Sequence, residues 1–150
     1  MTSIFEDSRI NTIARYGDAG PGPQGSVMTV AFEIAGQELV ALNGGPLFKF
    51  TPVVSFVINC ETQKEVDRYW EKLSTGGKTD CCGWLADKFG LSWQVVPKTL
   101  VELMGDPDRA KSKRVVEAML QMNKIDIQTL EEAAGRGRRT ENQIYDAAIF

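Results

Sequence analysis

Residues 82–97, Cys-Gly-Trp-Leu-Ala-Asp-Lys-Phe-Gly-Leu-Ser-Trp-Gln-Val-Val-Pro, leave the chain little conformational choice. They spell a strand, a tight turn and a second strand. Asp87 to Gly90 carries the turn, because Gly90 can take the positive φ that a hairpin connection requires. Leu91 to Val96 is rich in β-branched and aromatic side chains, and Pro97, which cannot donate to a ladder, stops it. Strand alternation sends Leu91, Trp93 and Val95 to one face and Ser92, Gln94 and Val96 to the other. Trp93 suits a packed layer. Gln94 sits mid-strand among apolar neighbours and admits two readings: a polar residue on a half-exposed sheet face, or an amide projecting into a ligand cavity.

The rest of the chain supplies more strands and then helices. Ser8 to Tyr16 reads as a strand, and Gly17 to Gly25, with four glycines and two prolines, as a loop. Val27 to Ile34 and Glu38 to Asn43 form a hairpin around Ala35-Gly36-Gln37, with Met28, Val30, Phe32 and Ile34 on one face. Asn43-Gly44-Gly45-Pro46 ends that hairpin as a backbone turn. Thr51 to Cys60 is the clearest strand. Thr62 then caps a helix, with Glu65 completing a capping box and Val66, Tyr69, Trp70 and Leu73 as its apolar stripe. After Pro97 come three helical segments. The first carries Leu100, Leu103 and Met104. The second is capped by Asp106-Pro107, runs to about Met122 and buries Val115, Val116, Met119 and Leu120. The third is capped by Asp126, with Ile125 stapled to Leu130. The basic run Arg109 to Arg114 reads as a solvated face, and Gly135 to Arg139 as an exposed linker before the apolar end Ile144 to Phe150.

Composition removes several functions. No histidine occurs, which takes away the commonest metal ligand and rules out Ser-His-Asp and Cys-His catalysis. A net charge of −3 gives no basic excess, so nucleic acid is not an expected partner. The apolar runs are too short to span a membrane and the N-terminus lacks a signal-peptide pattern, so the expected location is cytoplasmic. The three cysteines, Cys60, Cys81 and Cys82, have neither a disulfide framework nor zinc spacing, and are expected as small buried or half-buried thiols.

Asp87-Lys-Phe-Gly-Leu-Ser-Trp-Gln-Val95 resembles the last hairpin of the glyoxalase / vicinal oxygen chelate superfamily. Its usual form there is Asp-Pro-x-Gly-x-x-x-Glu-Leu, with the Glu a metal ligand. Leu42-Asn-Gly-Gly-Pro-x-Phe-Lys-Phe50, Cys82-Gly-Trp84 and Gly90-Leu-Ser-Trp-Gln-Val-Val-Pro97 together resemble the PhnB-like branch, whose members often carry a ubiquinone-methyltransferase-like label. The resemblance covers roughly residues 3–134. It implies an α+β fold of paired β-α-β-β-β modules whose curved sheets enclose a cavity. An incomplete first module over 8–50 lacks its opening strand and helix. A second module spans 51–97, a helical extension 98–134 and a tail 135–150. An incomplete first sheet would expose apolar side chains, and a homodimer, with or without exchanged elements, is expected to cover them.

The same resemblance places Ser55 and Gln94 at the second module's metal-ligand positions and Asn43 near the first module's late one. All three are neutral, a weak donor set for a divalent ion, so neither metal nor cofactor is expected. What remains is a pocket of amides and a hydroxyl, with Phe50 or Trp84 as a stacking wall, suited to a small polar or aromatic ligand. Glu33 and Asp87 are the nearest carboxylates, and both read as surface or turn residues. The expectation is a metal-free small-molecule-binding protein. The alternative is a metal-dependent vicinal oxygen chelate enzyme of lyase, isomerase or dioxygenase type. The methyltransferase label finds no glycine-rich strand-to-helix turn for S-adenosylmethionine in these residues.

Overall fold

The computed structural model describes residues 3–135 of the 150-residue chain. The expected tail over 135–150 therefore lies almost wholly outside the described residues. The chain divides between Lys49 and Phe50 into two compact units.

The first unit is an antiparallel meander, ordered β1-β2-β3, of β1 (Ser8–Arg15), β2 (Val27–Ile34) and β3 (Gln37–Leu42). Ile34 pairs with Gln37, so β2 and β3 are joined by the two residues Ala35 and Gly36. Both have positive φ, 48° and 79°, as a two-residue hairpin turn whose twist matches its strands requires. The β1–β2 loop closes through Tyr16 N–H to Ser26 O and Gly25 N–H to Tyr16 O. The apolar face expected from β2 is only partly covered. Ile34 is buried, whereas Met28, Val30 and Phe32 are half-buried. Glu33 is paired with Arg9 at 2.5 Å across β1 and β2, a surface role.

The second unit opens with β4 (Ser55–Cys60), α1 (Gln63–Ser74), β5 (Lys78–Thr79), β6 (Trp84–Ala86) and β7 (Ser92–Pro97). Its sheet order is β4-β7-β6-β5: β7 runs parallel to β4, and the β6–β7 and β5–β6 pairs are antiparallel. A parallel neighbour needs a crossover, and α1 supplies it. The Thr62 hydroxyl accepts from Glu65 N–H, as expected of a cap, but the Glu65 carboxylate reaches Glu61 N–H rather than that of Thr62. The helix packs on β4, β6 and β7. Val66 and Leu73 of α1, with Ile58, Cys60, Leu85, Trp93 and Val95 of the sheet, are buried, and Trp93 stacks at a tilt on Phe56, 5.4 Å between centroids.

Three helices follow: α2 (Lys98–Met104), α3 (Arg109–Met119) and α4 (Ile127–Gly135). Leu100, Val115, Ile125, Leu130 and Ala134 form their own core, with Val96 at the end of β7 packed against it. Ile125 and Leu130 meet there as the staple predicts.

Several boundaries move from their expected places. The strand begins at Ser55, not Thr51; Val53 and Val54 lie in exposed coil at 90% and 66% accessibility. Asp108, not Asp106, caps α3, because its carboxylate reaches Ala110 and Lys111 N–H. Asp106 instead accepts from Asp108 N–H and pairs with Lys111. That helix stops at Met119, and Leu120, expected inside, is exposed. Arg114 departs from the solvated basic face, donating to the Ala133 and Ala134 carbonyls at the end of α4.

Candidate functional site

One face of the second unit's sheet carries Ser55, Val57, Ser92, Gln94 and Trp84. Register brings them together. Gln94 on β7 lies between Val57 on β4 and Trp84 on β6, while Ser92 lies beside Ser55. The Gln94 amide Nε2 donates to Ser55 Oγ at 2.9 Å. The Gln94 amide oxygen, the Ser55 hydroxyl proton and the Trp84 indole N–H have no partner among the described residues. The opposite face is spent on packing, through Trp93 and Val95. At its far end the polar face is bounded by the helical core that Val96 touches.

Ser55, Gln94 and Trp84 are thus brought onto one surface. Asn43 and Phe50 lie on other elements. Asn43 belongs to the first unit, where it extends the hairpin ladder. Its N–H donates to Met28 O, its side-chain amide to Val27 O, and its own carbonyl accepts from the Tyr16 hydroxyl. It lines a small cleft of about 250 Å³ with Tyr16. Phe50 lies in the coil ahead of β4, exposed. Ser92, buried at 6%, and Val57, exposed at 52%, are additional members of the face. The signal for both was their period-two spacing from Gln94 and Ser55. Clefts of about 620 and 440 Å³ in the same unit lie among the helices and do not include Ser55 or Gln94.

The donor set fits a divalent cation poorly. Ser55 and Gln94 are neutral and offer no charge to pair with the ion, and one lone pair of the Ser55 hydroxyl is already taken by the Gln94 amide. Among the described residues no group of three or more His, Cys, Asp or Glu side chains is placed to hold a metal ion.

Asp87 forms the turn, one of the two places expected for it, and it is buried at 7%. Its Oδ1 accepts from Phe89 N–H at 2.9 Å and Leu91 N–H at 3.1 Å, and its Oδ2 from the Trp93 indole at 3.1 Å. A carboxylate so occupied is a structural anchor. Burial also governs Cys60, whose thiol is pushed up to about 11, with the nearby Glu65 charge adding to the rise.

Fold and face define a mixed α+β protein, with two sheets and four helices among its described residues and a neutral amide–hydroxyl–indole surface on the second sheet. The chain belongs to the family described as 3-demethylubiquinone-9 3-methyltransferase, whose model matches residues 1–96. It is similar to a solved PhnB protein from Bacillus cereus that carries the same methyltransferase description. The two are 36% identical with a TM-score of 0.59, over 64% of this chain and 84% of that one. A solved protein from Pseudomonas aeruginosa is 20% identical, with a TM-score of 0.48, over 59% of this chain and 77% of its own. No curated protein matches the sequence. No helix among the described residues is long and apolar enough to cross a membrane.

Proposed function

We propose that the chain is a metal-free small-molecule-binding protein of the PhnB-like branch of the glyoxalase / vicinal oxygen chelate superfamily. Its ligand lies on the sheet face of Gln94, Ser55 and Trp84, and the working form is a homodimer. The observation that carries this reading is the Gln94–Ser55 hydrogen bond beside Trp84. It fixes an amide in one orientation and leaves an acceptor and a hydroxyl donor on the sheet face that Trp84 shares. A ligand with complementary groups can use these open donor and acceptor positions. The absence of a charged side chain from this set selects a neutral ligand. The indole favours a flat one, and the mixed donors favour a carbonyl or hydroxyl substituent.

Two features support binding over methyl transfer. The strand-to-helix crossover turns through Glu61 and Thr62, with no glycine to admit a nucleotide-like cofactor against the helix start. The buried carboxylate Asp87 is held by three N–H donors and offers no free base.

Native mass spectrometry of the purified full chain, with titration of neutral aromatic amides and phenols against tryptophan fluorescence, tests the proposal. The expected result is a retained neutral organic mass, or quenching that vanishes in Trp84→Phe and weakens at least about tenfold in Gln94→Leu. One divalent ion per chain, lost in Gln94→Leu, would overturn it in favour of a metal-dependent enzyme.

A further inference from the structure

Cys82 stands in a backbone slot that does not suit it. The turn of residues 81–84 is closed by Trp84 N–H to Cys81 O at 3.1 Å, and both central residues have positive φ: Cys82 at 59° and Gly83 at 82°. Such a turn favours Asn, Asp or Gly at its first central position. The conformation is imposed from outside: Cys82 N–H donates to Met122 O and Gly83 N–H to Asn123 O, each at 2.7 Å. A residue that breaks a local rule under such constraint is a candidate for chemistry. Its neighbour supplies that chemistry. Cys81 is exposed, Cys82 is half-buried, and both are free thiols.

We infer that Cys81 and Cys82 form a peroxide-sensitive dithiol that closes reversibly into a vicinal disulfide. The inference is independent of the ligand reading above. The exposed Cys81 sulfur attacks the peroxide and the O–O bond breaks, giving a Cys81 sulfenic acid and one water. The Cys82 sulfur then attacks the Cys81 sulfur. The S–S bond forms, the S–O bond breaks, and hydroxide leaves with the Cys82 proton as a second water. The two thiols lose two electrons and the peroxide gains them. Exposure assigns the first step to Cys81, and the half-buried Cys82 follows. Burial raises the Cys82 thiol above the usual range, and the Cys81 thiol and the Asp80 charge raise it further, which makes its attack the slower step. Adjacent residues across a trans peptide have Cα atoms only about 3.8 Å apart, closer than ordinary disulfides allow, so the closed ring is strained and easily reduced.

The test is peptide mass spectrometry of the full chain after reduction, desalting and treatment with hydrogen peroxide. The tryptic peptide 79–88 carries both cysteines. It should lose the mass of two hydrogen atoms and resist iodoacetamide, then take up two labels after dithiothreitol. Cys81→Ser and Cys82→Asn should each abolish the loss. Asparagine suits the turn's positive φ, so the second variant removes the thiol with the fold kept. Sulfinic or sulfonic acid on Cys81 with Cys82 still labelled would overturn the inference. So would a doubled mass from disulfides between chains.

Discussion

Asp87 accepts from two backbone N–H groups and one indole inside the hairpin it turns. Removing the carboxylate strands buried donors, which costs more than the hydrogen bonds themselves contribute. Asp87→Ala is therefore expected to lower unfolding free energy by about 2–4 kcal/mol in urea melts. Asp87→Asn should fall between, because one oxygen can still serve Phe89 and Leu91 while its NH2 faces the Trp93 N–H. Equal stability of Asp87→Ala and the parent would show the network to be idle. Gln94 was legible from the strand alone as a residue needing a reason, because an amide among apolar neighbours breaks the pattern. The burial of Asp87 was not, since a turn acid looks the same whether it faces water or folds back onto a tryptophan six residues later. The exposure of Cys81 was equally hidden. Cysteine content suggests half-buried thiols, and only the turn geometry puts Cys81 outside.

Strands and helices were readable where the period was long and the caps unambiguous: β2, α1 and β7 fall close to their expected places. The failures were at ends. Asp106 and Asp108 are both capping acids around one proline, and only the fold decides which carboxylate reaches the first N–H groups. Val53 and Val54 carry strand propensity, but pairing with β7 begins only at Ser55, and propensity without a partner does not make a strand. The α4 cap gives the prediction at this scale. Asp126 accepts from Thr129 N–H at 2.7 Å, and the Thr129 hydroxyl first and this N–H second hold its carboxyl below the usual range. Asp67 is held down likewise, by Lys124 first and Gln63 second, at the tie between α1 and the start of α4. A folded value below the unfolded one means stability that is present above the ordinary carboxylate pKa of about 4 and is lost as pH falls through the folded value. Thermal melts should therefore flatten above pH 5, roughly, and drop below it. Asp126→Asn, which still caps, should remove part of that acid slope at small cost near neutrality. Asp126→Ala should cost about 1 kcal/mol at neutral pH as well. An unchanged acid slope in both variants would remove Asp126 from the account.

Over the whole molecule, the apolar surface is larger than isolated exposed side chains explain. Leu47, Phe48, Val53 and Val54 are between 66% and 90% accessible, and they fall within one eight-residue stretch. In the second unit β4 has a ladder partner on one side only among the described residues, and its residues Ser55 to Cys60 include no charge to discourage pairing with another chain. In the first unit β3 is also an edge strand, with Val40 and Leu42 exposed. A monomer rarely leaves such groups in water, whereas a second copy buries them at no cost in fixed charge. The proposed homodimer covers these groups, and the stability of such a dimer depends on concentration. Sedimentation at micromolar protein should give twice the chain mass, and the melting temperature should rise with protein concentration. Replacing Val53 and Val54 together by lysine places two like charges per chain just ahead of β4 and should weaken dimerisation at least about a hundredfold, since the cost of each is on the order of 1–2 kcal/mol. The monomer so released should keep its far-ultraviolet spectrum, because neither side chain belongs to either core. A parent chain that sediments as a monomer at every concentration, with a melting temperature independent of concentration, would show that the patch stays open and would remove the dimer from the proposal.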